Sequence, residues 1–176
     1  MLLLQPVQLL LFSTITSALT VIPRQNSQVY NDLTSINGKV QSLTASVNSW
    51  NGADLAGALP INTAASDLKS EIDTATANTP SYPEISDAEA DAILNFIDSN
   101  LKPSVKAAAD AVSAKAGNFK AVGVASIVSS TLADLKASTQ AYGNALIAKA
   151  PSGVKSQAQT ELDTIVGYIT AAQGSF

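Results

Sequence analysis

The stretch VYNDLTSINGKVQSLTASVNSW, residues 29–50, decides how the whole chain is read. Its apolar members Val29, Leu33, Ile36, Val40, Leu43, Val47 and Trp50 are separated by alternating steps of four and three. An α-helix turns once every 3.6 residues, so this spacing puts all seven on one stripe. A strand would need alternation at every second position, and the stretch has none. Gly38 lies inside the helix, at a cost of about 1 kcal/mol against alanine, and marks a place where another helix could approach closely.

The same rhythm returns down the chain. Asn26 or Ser27 caps the first helix, and Asn51-Gly52-Ala53-Asp54 ends it in a turn, with Asp54 placed to cap the second helix. A second stripe holds Leu55, Leu59, Ala65, Leu68, Ile72 and Ala75, and the helix either starts at Pro60 or kinks there. Pro80 and Pro83 keep residues 78–84 out of helix. Ser86-Asp87-Ala88-Glu89 has the form of a capping box and opens a third helix carrying Ile93, Ile97, Leu101, Val105, Ala108 and Val112. Its stripe stays in phase across Pro103, which predicts one kinked helix running to a stop at Gly117-Asn118. A fourth helix is expected from about Phe119 to Lys149, with Val124, Val128, Leu132, Leu135, Tyr142 and Leu146 on one face. After the break at Ala150-Pro151-Ser152-Gly153, a fifth carries Val154, Ala158, Leu162, Ile165, Ile169 and Ala172. Short links between such helices predict an all-α, antiparallel five-helix bundle with an apolar interior.

Composition narrows the function. The chain has 176 residues, enough for one domain with a sizeable core, and no Cys or His. Disulfides, thiol chemistry, Cys zinc sites and a Ser-His-Asp triad are therefore excluded. The net charge of −4 and the scattering of the lysines argue against nucleic acid and against an anionic membrane surface. Residues 1–18 carry no charge, hold the apolar run Leu9-Leu10-Leu11-Phe12 and end in Thr16-Ser17-Ala18, the pattern of a secretory signal peptide. Residues 19–26 then form a short pro-like or disordered segment, and 27–173 the helical domain. The apolar run is too short and too interrupted for a transmembrane anchor, and the C-terminal Gly174-Ser175-Phe176 has no lipid-anchor signal.

Carboxylates are the remaining acid–base candidates. Asp87, Glu89 and Asp91 cluster in a first helical turn, where acidic residues answer the helix dipole. Asp67, Glu71 and Asp73 read as a solvated helix face around Lys69. Neither group has calcium-loop spacing, and no glycine loop has the form of a phosphate cradle. No catalytic residue, metal site or cofactor is expected, and the chain does not read as an enzyme.

The stripes themselves are then the candidate site. Forty-six per cent of the residues are hydrophobic but only five per cent aromatic, so the interior is made of Ala, Val, Leu and Ile. Ala64-Ala65, Ala107-Ala108-Ala109 and Ala171-Ala172 put small side chains where a gap can persist. An acyl chain in such a gap gains ~0.8 kcal/mol per buried methylene. Ten methylenes give roughly 8 kcal/mol before ordering costs, so micromolar binding needs no special polar contact. Leu33, Ile36, Val40, Leu43, Leu68, Ile72, Ile93, Ile97, Leu132, Leu135, Ile165 and Ile169 are the residues expected to line the shared interior and bind such a ligand. The competing expectation is a structural protein with a dry core and no ligand.

Val21-Ile22-Pro23-Arg24 follows the leader, Val47-Asn48-Ser49-Trp50 closes the first helix, and Leu132-Ala133-Asp134-Leu135-Lys136, Tyr142-Gly143-Asn144-Ala145-Leu146 and Lys149-Ala150-Pro151 come before the last helix. With these segments the chain, over about residues 19–172, resembles the fungal hydrophobic-surface-binding protein A and cell-wall galactomannoprotein family. The resemblance implies a secreted, extracellular or wall-associated all-α domain that holds fatty acid between its helices or adsorbs to hydrophobic surfaces, where members recruit secreted hydrolases. The resemblance equally allows a structural mannoprotein or antigen of the cell wall with a dry core, and with no long Ser/Thr stalk or anchor tail in these 176 residues covalent wall attachment is not expected.

Overall fold

The computed structural model describes residues 28–176. The leader at 1–18, the segment at 19–26 and the cap at Asn26 or Ser27 lie outside the described residues.

All regular structure in the described residues is helical: α1 Gln28–Ser49, α2 Leu59–Asn78, α3 Asp87–Phe96, α4 Lys102–Ala114, α5 Ala116–Ala121, α6 Ala125–Lys149 and α7 Lys155–Gln173. A π-helical segment, Ile97–Leu101, joins α3 and α4 into one rod. It lies just ahead of Pro103, which has no N–H and whose ring crowds the carbonyl of Ser99 in a regular helix. Widening the turn there lets the apolar stripe pass the proline without a break.

Counted as rods, the described residues form six helices rather than five, because the expected fourth helix is divided. Gly117-Asn118 is not the stop. The third rod ends at Ala114, α5 carries Gly117 within it, and the real break is at Gly123 with φ +79°. There the Val124 N–H donates to the Phe119 carbonyl at 3.0 Å and the Gly123 N–H to the Lys120 carbonyl at 3.1 Å. This is a Schellman ending with glycine in the left-handed position.

At the other punctuation marks the local chemistry acts as its residues dictate. Asp54 Oδ1 accepts from the Gly57 N–H at 2.6 Å and caps the 3₁₀ turn Ala56–Ala58, after which α2 begins with Pro60 in its first turn. Ser86 Oγ accepts from the Glu89 N–H at 3.4 Å at the start of α3. Gly38 is no site of close approach, since a Cβ there would meet nothing within 4 Å. The close approach is at Gly143, whose Cβ position lies 2.5 Å from the Leu162 side chain where α6 packs on α7.

The five long rods form a closed ring in the spatial order α1, α2, α6, α7, α3–α4, and back to α1. Chain direction alternates along the sequence, yet neighbours in space are not all antiparallel. Asp32 meets Tyr82, so α1 and α2 run opposite ways, as do α6 and α7, where Gly143 meets Leu162 and Gln173 meets Ser129. Tyr30 packs on Phe96 while Lys115 reaches Trp50, so α1 and the third rod run parallel. Asp73 bonds Ser138 and Lys149 bonds Tyr82, making α2 and α6 parallel as well. The antiparallel expectation holds for two of the ring's interfaces and fails at the others, because the connections at 79–86 and 115–124 cross an end of the bundle instead of joining neighbours.

A ring of five has a consequence for its centre. Helices pack 8–10 Å apart, which places five axes about 8 Å from the ring's middle. Each helix with its side chains has a radius of about 5–6 Å. Roughly 2–3 Å of radius is therefore left at the centre unless large side chains fill it, and here the inward residues are aliphatic.

Candidate functional site: a central apolar cavity

That centre is hollow. A cavity of about 150 Å³ runs inside the ring, bounded by all five rods. One water molecule needs about 10–15 Å³ measured this way, so the space is well beyond a packing void. On α7 alone the wall extends from Ala158 to Ala172, about 21 Å of helix axis. The hydrocarbon half-thickness of a bilayer, in which an acyl chain fits, is about 15 Å.

All twelve residues expected to face a shared interior lie in this wall. Leu33, Ile36, Val40 and Leu43 come from α1, Leu68 and Ile72 from α2, Ile93 from α3 and Ile97 from the π segment. Leu132 and Leu135 come from α6, and Ile165 and Ile169 from α7. Ten are buried, while Ile97 and Ile169 are partly exposed. Of the small residues, Ala108, Ala109 and Ala172 line the cavity, and Ala107 and Ala171 face outward.

Three polar residues in the wall carried no signal in the apolar pattern or were read as packing. Thr139 and Tyr142 sit on α6, and Glu161 on α7. Thr139 Oγ1 donates to the Leu135 carbonyl at 2.7 Å, the back-bond that lets a threonine stay in a helix interior. Glu161 accepts from Lys102 Nζ at 2.9 Å, and the same ammonium bonds Asp98. Those two carboxylates, Asp98 foremost, raise the Lys102 pKa and keep the lysine charged. The Tyr142 hydroxyl is buried and has no hydrogen-bond partner.

Near that hydroxyl one end of the bundle is closed by polar contacts. The Tyr82 hydroxyl donates to Asp32 Oδ2 at 2.7 Å, and burial, with that bond and the Asp32 charge, pushes its pKa up to about 12. Asp32 itself is raised, chiefly by burial. Lys149 Nζ donates to the Tyr82 carbonyl at 2.7 Å and pairs with Glu84 at 3.8 Å.

At the opposite end a second cavity of about 210 Å³ opens between the starts of α2 and α6. Leu43, Val112, Leu132 and Leu135 belong to both walls, so one layer of side chains separates the two spaces. Leu55, Leu59 and Ile127 border the second cavity and are 54%, 62% and 56% exposed. Among the described residues these are the large hydrophobic side chains left in solvent. Leu55 and Leu59, expected at the head of the second inward stripe, instead stand before the 3₁₀ turn and at the first residue of α2, where they are turned to solvent, and Ile127 is on no stripe.

The acidic clusters stay on the surface. Asp73 pairs with Lys69 at 2.6 Å and accepts from Ser138 Oγ at 2.6 Å, contacts that lower its pKa with the lysine foremost. Asp67 lies 3.6 Å from Lys39. Among the described residues no cluster could hold a metal ion, and no helix is long and apolar enough to cross a membrane.

Comparison with known proteins gives this geometry a setting. AfMp4p in complex with palmitic acid is similar at 29% identity and a TM-score of 0.78, over 84% of this chain and 96% of that one. Ligand binding domain 1 of the Penicillium marneffei MP1 protein, complexed with arachidonic acids, has a TM-score of 0.79 at 15% identity, over 84% and 96% of the two chains. Domain 2 of that protein, also with arachidonic acids, has a TM-score of 0.75 at 15% identity, over 82% and 89%. At 15% the likeness is one of fold. Among curated proteins none matches the chain. The sequence pattern of hydrophobic surface binding protein A matches residues 26–148, most of the helical domain, and by that match the chain belongs to the hydrophobic surface binding protein A family.

Proposed function

We propose that this chain is a secreted binding protein that holds one single-chain lipid, a fatty acid or a close relative, inside the helical ring. The observation that carries the reading is the cavity bounded by all five long rods, apolar but for Thr139, Tyr142 and Glu161. A dry structural core would have closed that space, because each unfilled methyl-sized gap costs about 1 kcal/mol. The palmitic acid complex of AfMp4p, at 29% identity, supports the same use of the fold. The twelve stripe residues are the ligand's walls in this reading. The leader at 1–18 and the segment at 19–26 deliver the domain outside the cell, where a fungal wall is one destination. Binding and release of a lipid need no catalytic group, and no enzyme activity is assigned.

The test is native mass spectrometry of the secreted protein, followed by denaturation and lipid extraction. Wild-type protein should carry a fatty acid that is lost on unfolding. The Ile36→Gln, Ile97→Gln double variant, which puts two amides into the wall, should come out free of lipid. A folded double variant that binds unchanged would refute the interior site.

Leu55, Leu59 and Ile127 favour a second activity of the same molecule, adsorption to hydrophobic surfaces through the rim of the second cavity. Replacing all three with serine should weaken retention on alkyl-coated beads and leave interior lipid binding intact. Equal retention would remove the rim from consideration, and with it the place where a hydrolase would be recruited.

A further inference from the structure

A lipid that rests inside a ring of helices must first pass between them or through one end. The possible ways in differ in what has to be broken. At one end three hydrogen bonds cross the path. The Tyr82 hydroxyl donates to Asp32, Lys149 Nζ to the Tyr82 carbonyl and the Ile85 N–H to the Lys149 carbonyl, at 2.7, 2.7 and 3.2 Å. Along the sides, the Lys102–Glu161 ion pair joins α4 to α7. Where α6 meets α7, Gly143 and Leu162 come too close for even a methyl group.

The other end has a different character. The second cavity lies there, no charged residue lines it, and its polar members are Asn62 and Thr131. Leu55, Leu59 and Ile127 stand exposed at its rim, so the path is apolar from the surface inward. Between it and the central cavity stand Leu43, Val112, Leu132 and Leu135, which border both spaces. A side chain packed on every side cannot change rotamer without moving its neighbours. These four have open space on two sides, so each can turn aside without breaking a hydrogen bond. The helix starts around the mouth are lightly held as well. The cap positions of α2 and α6 are Ala58 and Val124, and neither start has a side-chain cap. The bond that ties α2 to α6, Ser138 to Asp73, lies about 16 Å along α6 from Ile127.

We propose that the second cavity is an entry station for the hydrocarbon tail of a single-chain lipid, and that Leu43, Val112, Leu132 and Leu135 form the gate between it and the central cavity. The proposal rests on the lipid-holding reading above. The tail goes first, because burying methylenes is favourable and burying a polar head is not. The four side chains turn aside as it passes and close behind it, and release follows the same path in reverse.

The experiment is stopped-flow fluorescence with cis-parinaric acid, whose conjugated tail brightens when it leaves water. Mixing gives the loading rate, and a chase with excess palmitic acid gives the release rate. Ala65→Phe puts a ring into the second cavity from α2, and Asn62→Trp lays one over its mouth. Both positions border that cavity and not the central one. Asn62 is exposed, so the second variant leaves the core undisturbed. A narrowed passage slows traffic both ways, so loading and release should fall together. The expected drop is about tenfold in each, the cost of pushing past one ill-fitting side chain. Lys149→Met, which loosens the polar end, should load and release as the wild type does.

If both plugged variants exchange lipid at wild-type rates, the entrance is wrong although a lipid still binds. Faster release with unchanged loading would make the second cavity part of the lipid's resting place, and the gate would fail. Faster exchange in Lys149→Met would move the entrance to the polar end and overturn the proposal. If wild-type protein never brightens the probe, the lipid-holding reading itself fails.

Discussion

Filling the cavity should stabilise the protein and disable it in the same step. Ala108 is on α4, buried, and part of the cavity wall. Ala108→Leu extends that wall into the open space by three carbon atoms. At about 0.8 kcal/mol per buried methylene the upper limit of the gain is about 2.4 kcal/mol. Imperfect fit returns part of it, which leaves roughly 1–2 kcal/mol. For a domain of this size a gain of that order raises Tm by about 2–8 °C. The ligand loses room for about three methylenes, and 2.4 kcal/mol corresponds to roughly fiftyfold weaker binding. Calorimetry of the delipidated protein and probe displacement measure the two effects. Ala107→Leu is the control, because Ala107 is the exposed neighbour on the same helix and should change neither quantity much. A lower Tm for Ala108→Leu together with unchanged affinity would refute the reasoning, since the leucine would then have found no space and the ligand no obstruction.

Two further predictions concern the ends of the bundle. Gly52 has φ +80°, and a Cβ there would lie 2.0 Å from Asn118 Nδ2, the same amide that donates to the Gly52 carbonyl at 3.2 Å. Gly52→Ala should therefore cost at least about 1–2 kcal/mol in urea unfolding, from the left-handed backbone and the displaced amide together, while Gly38→Ala, open to solvent, should stabilise by about 0.4–1 kcal/mol. At the other end, burial raises the pKa of Asp32. Its folded state binds the proton more tightly than its unfolded state, so its contribution to stability is greatest below the unfolded value and falls as pH rises through the folded one. Asp32→Asn, which still accepts from Tyr82, should flatten the pH dependence of unfolding above pH 3.8; an unchanged slope would show that Asp32 bears no desolvation cost.

The fold class and the wall of the cavity were legible because one physical signal carries both. A stripe that repeats every three or four residues fixes the helix and also fixes which face turns inward, so Ile36 and Ile165 could be assigned to one interior without knowledge of the helix order. The order itself was not legible. It depends on which ends the connections cross, and the Pro80–Pro83 segment has no periodicity to say that α2 and α3 are not neighbours. Gly123 was missed because Gly117 stands close by and is the same kind of signal; only the backbone bond from Val124 to Phe119 tells them apart. Thr139 and Glu161 were invisible because a polar residue on an inward face contradicts the pattern used to find that face. The rim was missed because Leu55 and Leu59 continue the second stripe on paper, while the 3₁₀ turn Ala56–Ala58 breaks its phase, and because a single apolar residue such as Ile127 off a stripe is ordinary.

The hollow middle also explains where the stability has to come from. The contacts between aromatic rings stand at the two ends: Trp50 against Phe119 and Phe119 against Phe176, with centroids 4.6 and 5.9 Å apart, and Tyr30 against Phe96 at 5.0 Å. Between them the rods meet through aliphatic side chains that have neighbours on the outer side and space on the inner. Val47 and Val40 put this to a test at fixed chemistry, on one helix and two turns apart. Val47 is 0% exposed and borders neither cavity, whereas Val40, 4% exposed, lines the central one. Valine to alanine removes the same atoms from each. At Val47 the loss of transfer energy is joined by a new void in dense packing, about 2–3 kcal/mol in all. At Val40 the side chain has already forfeited contacts on its open side, and the cost should be about 1 kcal/mol in the ligand-free protein. Saturating lipid should widen the Val40→Ala penalty, because the ligand supplies the partner atoms the empty cavity lacks, and leave the Val47→Ala penalty unchanged. Equal costs without ligand would mean that the middle of the ring is as tightly packed as its ends, and the cavity would lose its claim to be a binding site.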